Sequence, residues 1–306
     1  MTTTLGGDGT ILHASSLFST TPNVPPILSF SMGTLGFLGE WKFEEFKRAF
    51  REVYMSGAGA GSHLFQDQKH PHVQSEENAT ANIITGWSSI RGKSMGPARS
   101  SKVLLRNRLK VGVFDRDGNR LVGDTPNEVA GDVHAMNEVI IHRGIEAHLT
   151  IIEIFVGGRF LTEAVADGMI ISTPTGSTAY SLSSGGSIIH PLVNSLLMTP
   201  ICPRSLSFRP LVLPANTPIT LRVSEKNRGR ELEVSIDGRR RSKGVGVGME
   251  VRVEGEKISK GIEWVGGVPC VMRGAKSGIE DDDGWVGGLN GLLKFNFPFG
   301  ENSERD

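Results

Sequence analysis

The chain has 306 residues, enough for two domains that each bury a core. Its 33 basic and 33 acidic residues balance, and the pI is near 7.1, which argues against a general nucleic-acid or membrane-surface binder. No apolar run reaches the length of a membrane span. Two distant cysteines, Cys202 and Cys270, provide neither a disulfide framework nor a metal-ligand spacing, so we expect a reducing, cytoplasmic compartment.

The first 57 residues predict an α/β domain. A glycine-rich loop at residues 6–10 precedes an apolar segment, residues 11–18, that is typical of a helix. A buried strand at 25–31 then leads into a second glycine-rich turn and a helix over 43–54. This strand–turn–helix order indicates a parallel sheet.

The glycine-rich loop is suited to phosphate chemistry. Its glycines permit a tight turn, and amides in such a turn, with the start of the following helix, can bind phosphate oxygens. A carboxylate repels phosphate, so Asp8 is expected to hold Mg²⁺ or to accept a proton from an attacking hydroxyl. Leu12 stands where a dinucleotide-binding fingerprint needs glycine, and no lysine precedes Lys42, which excludes a P-loop. The alternative is a glycine-rich turn with a solvent-facing aspartate.

The rest of the chain predicts a different architecture. Residues 58–101 are polar and are interpreted as a loop or insertion, partly disordered. Residues 102–269 alternate with a period of two and predict a mostly antiparallel β domain, with the tail 270–300 packing back on the first domain and 301–306 disordered. The strands are expected at 103–114, 136–143, 148–156, 159–164, 168–172, 211–213, 218–223, 231–237 and 249–254.

A second candidate motif begins at Asp167. An apolar strand ends in a proline- and glycine-containing loop dense in hydroxyls, residues 173–180, and such hydroxyls and amides suit ribose and phosphate oxygens. Tyr180 is one of only two tyrosines and could stack on a base. The alternative is an ordinary Ser/Thr loop that caps a helix.

Together these motifs resemble the NAD kinase family, and they stand in that family's order over nearly the whole chain except residues 57–101. They are GGDGT at 6–10, GTLGFL at 33–38, NEV at 137–139, DG at 167–168, TPTGSTAY at 173–180 with SSGG at 183–186, SFRPLVLP at 207–214 and SIDGR at 235–239. The first motif is shared with lipid kinases and phosphofructokinases, whereas residues 167–186 are far more specific.

The resemblance implies transfer of a phosphoryl group from ATP, carried with Mg²⁺, to the adenosine 2′-hydroxyl of NAD. Asp8 would be the general base, and no protein group would bind the metal directly. The donor phosphates would lie on Gly6, Gly7, Gly9 and Thr10. The family's NAD-binding positions correspond to Asn137, Glu138, His148, Asp167, Thr178, Ala179, Tyr180 and Ser183. Asn137 and Glu138 match the pair that holds the adenosine, and Asp167 matches the carboxylate on the nicotinamide half. The resemblance also implies a homodimer or homotetramer built through the β domain.

Each of these side chains also has a structural interpretation. Asn137 and Glu138 could satisfy a turn, Asp167 could cap a loop, and His148 could be a core histidine.

Two departures from the family leave alternatives open. The family has several strand–helix units before the glycine loop, so we expect an incomplete parallel sheet and a truncated chain. A catalytically incomplete remnant that binds NAD or oligomerises is therefore the alternative to an active kinase. Val165 stands where some members carry a basic residue, which leaves the choice between NAD⁺ and NADH open.

Overall fold

A computed structural model of the chain describes residues 1–33, 36–55, 87–91, 100–121, 132–229, 231–260 and 264–273, together with residues 285, 289 and 293. The strands of the described residues are β1 (Thr2–Leu5), β2 (Ile27–Ser31), β3 (Trp41–Lys42), β4 (Trp87–Arg91), β5 (Ser100–Arg106), β6 (Leu109–Phe114), β7 (Val133–Ala135), β8 (Glu138–His142), β9 (Thr150–Val156), β10 (Arg159–Ala166), β11 (Gly168–Ser172), β12 (Ser195–Ile201), β13 (Leu211–Pro214), β14 (Ile219–Val223), β15 (Glu231–Ile236), β16 (Arg239–Arg240), β17 (Val245–Gly246), β18 (Glu250–Gly255), β19 (Ser259–Lys260), β20 (Trp264–Val265) and β21 (Val268–Val271). The helices are α1 (Asp8–Ser16), α2 (Phe46–Met55) and α3 (Tyr180–Ser183), with 3-10 turns at Phe43–Glu45 and Thr175–Thr178.

The first sheet has the order β1-β2-β21-β5-β4, with β3 paired to the end of β2. Strands β1, β2 and β21 run parallel, while β5 and β4 are antiparallel to their neighbours. Both faces of β2 are covered: Ile27 packs with Ile11 of α1, and Leu28 and Phe30 pack with Ala49 of α2. This explains why β2 is apolar without alternation.

Two antiparallel sheets form the second part of the described chain. Their orders are β10-β9-β14-β18-β6-β7 and β13-β12-β11-β8-β15-β16, and the main core lies between them. Val139 and Ile141 of β8 face this core, so Glu138 lies on the outer face of the sheet that contains β8. The predicted α/β domain followed by a mostly antiparallel β domain is therefore confirmed.

Several sequence expectations differ from the structure. The strand predicted over 103–114 is two strands in different sheets, because the chain crosses between sheets at Asn107 and Arg108. The first sheet is mixed rather than parallel. Strand β12 was not predicted, since all of it is buried and it shows no alternation. Strand β4 lies inside the predicted loop 58–101, most of which is outside the described residues.

The tail was predicted to pack on the first domain. In this tail, the ring of Trp285 contacts the ring of His190, with 4.6 Å between the ring centroids. Residues 301–306 lie outside the described residues, and the domain boundaries stay predictions. No helix within the described ranges is long and apolar enough to cross a membrane.

Candidate functional site

The glycine loop joins β1 to α1. The helix begins at Asp8, three residues earlier than predicted, with Gly7 as its N-cap and no side-chain hydrogen bond to its first turn. Gly6 has a φ of 150°, and its amide donates to Phe30 O at 2.9 Å. Because Gly7, Gly9 and Thr10 are exposed, the positive end of this nine-residue helix is open to an anion.

The carboxylate of Asp8 ties this loop to the second glycine-rich turn. Its Oδ2 accepts the amide of Phe37 at 2.9 Å, and its Oδ1 accepts the amide of Leu38 at 3.1 Å. A Cβ on Gly36 would lie 2.6 Å from Oδ2, so only glycine permits this approach. A carboxylate has about four acceptor positions, and the half-buried Asp8 therefore keeps capacity for a further donor.

Asn137 and Glu138 lie where β8 begins, and both are buried at 6% exposure. Asn137 Oδ1 and Glu138 Oε2 have no hydrogen-bond partner among the described residues. Buried polar atoms are normally paired, so these two oxygens mark a place that a ligand would complete. Burial, followed by the charge of nearby Asp237, raises the pKa of Glu138 to about 8.

The hydroxyl-rich loop is hydrogen-bonded to the backbone of Met136 and Asn137. The Thr173 hydroxyl donates to Met136 O at 2.6 Å, and the Thr173 amide donates to Asn137 O at 2.9 Å. A Cβ on Gly176 would lie 2.6 Å from the Asn137 carbonyl carbon. The start of the loop and the Asn137–Glu138 turn thus form one rigid unit.

The remaining predicted positions of the loop lie on its outer side. Thr178 donates its hydroxyl to Thr175 O at 3.1 Å, and Ala179 is half-buried. Tyr180 is 41% exposed and Ser183 is exposed, so both can reach a ligand. Between them, Ser181 anchors α3 to β12 through a 2.8 Å hydrogen bond between its hydroxyl and that of Thr199.

Asp167 and His148 are not brought to this unit. Asp167 precedes β11, whereas Glu138 pairs with Ser172 at its other end, which separates them by about 16 Å along the strands. Asp167 forms a 2.7 Å ion pair with Arg143, and His148 is exposed in the β8–β9 connection. Their ligand-binding roles stay predictions.

One apolar cluster joins the two halves of the site. Ile11 of α1, Leu38 of the second glycine-rich turn and Met136 before the Asn137–Glu138 pair all belong to it. The Asp8 loop and the Asn137–Glu138 pair, which are about 130 residues apart in the sequence, therefore flank the same small core. Arg239 also contacts His13 on the exposed side of α1.

Sequence reasoning missed two residues at this junction, the half-buried Asp237 and the buried Arg106. Asp237 accepts hydrogen bonds from the amides that lead into Glu138. Arg106, 2% exposed, lies between Glu40 and Thr175, at 3.8 Å from the carboxylate and 3.4 Å from the hydroxyl. The Asp-Gly pair at 237–238 was a visible signal for a turn, but nothing in the sequence indicated which amides it would bind.

No group of three or more histidine, cysteine, aspartate or glutamate side chains in the described part of the chain could hold a metal ion.

Comparison with known proteins supports a relationship over both parts of the fold. The model of the ATP-NAD kinase N-terminal domain matches residues 1–58, and that of the C-terminal domain matches residues 136–255. The mitochondrial NADH kinase pos5 of Schizosaccharomyces pombe is 41% identical over 296 residues, which are 97% of this chain and 59% of that protein. The mitochondrial NADH kinase POS5 of Saccharomyces cerevisiae is 41% identical over 239 residues, 77% of this chain and 45% of that protein. The chain thus spans about half the length of these curated relatives.

Two solved structures are also similar. A yeast NADH kinase in complex with NADH superposes with a TM-score of 0.69 at 37% identity, covering 97% of this chain and 66% of that chain. An NAD kinase from Archaeoglobus fulgidus in complex with ATP has a TM-score of 0.58 at 19% identity, covering 95% of this chain and 82% of that chain, and supports the fold alone.

Proposed function

Because the chain belongs to the NAD kinase family, we propose that it transfers the γ-phosphoryl group of ATP to the adenosine 2′-hydroxyl of NAD or NADH. The observation that carries the proposal is the pair of buried, unpartnered oxygens on Asn137 and Glu138, beside the apolar cluster that also supports the Asp8 loop. A site with unsatisfied buried acceptors is built for a ligand that supplies donors, and ribose hydroxyls are such donors.

The donor half is the uncapped start of α1. The amides of Gly7, Asp8 and Gly9 would bind the phosphates of ATP, with Gly6 and Thr10 shaping the loop around them. Mg²⁺ would arrive with the nucleotide as part of the substrate.

The acceptor half is the rigid unit of Asn137, Glu138 and the hydroxyl-rich loop. Asn137 and Glu138 would hold the adenosine ribose, and the exposed ring of Tyr180 would stack on the base with Thr178, Ala179 and Ser183 around it. NAD consists of two nucleotides joined by a diphosphate, so its nicotinamide half binds away from this unit. The distant Asp167 and the exposed His148 are proposed to serve that half.

Asp8 would supply the chemistry. The hydrogen bonds from two backbone amides fix the carboxylate in place without using all of its acceptor positions. It can therefore take the proton of the attacking hydroxyl as the phosphoryl group arrives. Positioning and charge stabilisation by the loop amides would supply the rest of the rate.

The test is NADP formation from NAD and Mg-ATP by the purified chain, with Asp8→Asn as the matched variant. We expect the substitution to lower kcat by about a hundredfold or more while NAD affinity, measured by calorimetry, stays within about twofold. A large loss of NAD affinity would instead make Asp8 a binding residue. A wild-type chain that binds NAD without turnover would favour a binding or oligomerising role.

Assembly and compartment are further parts of the proposal. We propose a homodimer or homotetramer joined through the β domain, which light scattering of the purified chain would test. We also propose a cytoplasmic location on the cysteine usage of the chain, although two relatives are named mitochondrial. Fractionation of cells that express the native gene would decide between the two compartments.

A further inference from the structure

Asp237 lies half-buried at the turn between β15 and β16. It is one of two described non-glycine residues with positive φ, at 47°, and Gly238 follows at 74°. Two consecutive left-handed residues between antiparallel strands form the tight hairpin turn that Asp-Gly favours. The left-handed backbone directs the carboxylate back toward β8 rather than into solvent.

The carboxylate of Asp237 gathers three successive amides. Oδ2 accepts from Met136 N at 2.7 Å, and Oδ1 accepts from Asn137 N at 2.7 Å and from Glu138 N at 3.1 Å. In return, the amide of Asp237 donates to Glu138 O at 3.0 Å. Three of these four hydrogen bonds fix the backbone of Asn137 and Glu138, whose side-chain oxygens lack partners among the described residues, and the fourth fixes Met136 before them.

We propose that Asp237 is a positioning residue for NAD: it fixes the turn that directs Asn137 and Glu138 toward the ligand. This inference rests on the proposed function and adds a residue to it. Without the carboxylate, three adjacent buried amides would lose their acceptor, and the turn would reorganise toward water.

The protonation states of Asp237 and Glu138 follow from the surroundings of each carboxyl group. Burial raises the pKa of Asp237, but three amides and the nearby Arg108 favour its ionised form. Glu138 has no such donors, and burial together with the Asp237 charge raises its pKa to about 8. Glu138 therefore holds its proton near neutral pH.

A neutral Glu138 suits phosphoryl transfer to a neighbouring hydroxyl. A protonated carboxyl group can donate one hydrogen bond and accept others, which matches the two-way hydrogen bonding of a ribose hydroxyl. An ionised carboxylate would repel the incoming phosphoryl group.

The surroundings of Asp237 contain other charged groups. It lines a cavity of about 230 Å³ together with His134 and the three arginines of β16 and its extension, residues 239–241. Burial lowers the pKa of His134, which leaves that ring neutral at physiological pH. Arg108, 1% exposed, lies close enough to Asp237 to affect its titration.

The test is NAD affinity measured by calorimetry between pH 6 and 9 for the wild-type chain and for Asp237→Asn. Asn-Gly is the dipeptide most favoured in this turn, so the hairpin should form, and Asp237→Gly provides a second variant that accepts the same φ. Asp115→Asn is the matched control, because Asp115 also binds two amides in a turn, at 2.9 and 2.8 Å, but on the exposed end of another hairpin.

For the wild-type chain we expect affinity to fall as the pH rises through about 8, where Glu138 ionises. In Asp237→Asn we expect affinity at pH 7 to fall by about tenfold and the alkaline decline to move down by about one pH unit. Glu138→Gln should abolish the alkaline decline whatever its affinity, and Asp115→Asn should behave as the wild type. A purely structural role for Asp237 would lower affinity without moving the decline.

Unchanged affinity, or an unmoved decline, in both Asp237 variants would overturn the inference. Because binding is measured without turnover, a chain that binds NAD but forms no NADP would sink the proposed kinase activity and still test Asp237. A wild-type chain that binds no NAD would overturn both.

Discussion

Asp8 and Glu138, the two carboxyl groups of the proposed site, have opposite surroundings. Asp8 is half-buried and both of its oxygens accept backbone amides from a loop about thirty residues away, within reach of solvent. Glu138 is 6% exposed, and one of its oxygens has no partner. Both oxygens of the first group are bonded within the folded chain, whereas one oxygen of the second has no partner among the described residues and is proposed to bind a ligand.

This difference indicates how each group would work. A carboxylate that accepts two backbone amides is fixed in position, as a general base must be. A buried, partly unpartnered carboxyl group costs stability, and that cost is recovered only when a ligand binds. The following predictions test that contrast, from the largest expected effect to the smallest.

The largest effect concerns the stability cost of Glu138. Its pKa is about 8 when folded and 4.5 in the unfolded reference, so between these values the unfolded chain has lost a proton that the folded chain keeps. The free energy of unfolding should therefore fall as the pH rises from about 4.5 to 8, and level off above. Glu138→Gln removes this dependence, and at pH 8.5 it should stabilise the chain by at most about 5 kcal/mol.

Urea unfolding at pH 5 and pH 8.5 measures that effect. The exposed Glu225 provides the control, since Glu225→Gln should change stability equally at both pH values. If the wild-type chain and Glu138→Gln lose stability in parallel as the pH rises, Glu138 is not held in its neutral form.

The next effect concerns the approach of the second glycine-rich turn to Asp8. Gly36→Ala places a methyl group 2.6 Å from Oδ2, so the turn must move away and release the carboxylate. We expect kcat for NADP formation to fall by about ten- to a hundredfold, because a general base must be held in line with its proton. Gly33→Ala is the control in the same turn, since its new methyl group would meet no atom within 4 Å. Equal losses in the two variants would show that the Asp8 contacts do not matter for the rate.

The contrast between the two carboxyl groups was only partly predictable. Half-buried strands such as β9 and β18 alternate and were predicted within a residue or two of their bounds. β12 was missed because it is buried throughout. The GGDGT motif was found from residue types and the NEV motif from the resemblance to the family, but their surroundings arise from contacts across the chain: Asn137 and Asp237 are 100 residues apart. No local pattern encodes which amides a distant carboxylate will meet, and therefore neither the Asp8 loop contacts nor the role of Asp237 could be predicted.

The smallest effect concerns the buried cation between the two halves. Arg106 reaches Glu40 in the second glycine-rich turn and Thr175 in the hydroxyl-rich loop, but at 3.8 and 3.4 Å, which are long distances for a guanidinium. Contacts this long are weak, and a lysine keeps the charge while losing the planar, two-armed geometry. We expect Arg106→Lys to raise the KM for NAD by about threefold, with kcat and the free energy of unfolding nearly unchanged. Steady-state kinetics beside Arg252→Lys, whose ion pair with Glu250 is on the surface, would measure this. A fall in kcat with KM unchanged would mean that Arg106 serves the Asp8 half alone, and that the two halves are aligned by their shared apolar cluster rather than by this cation.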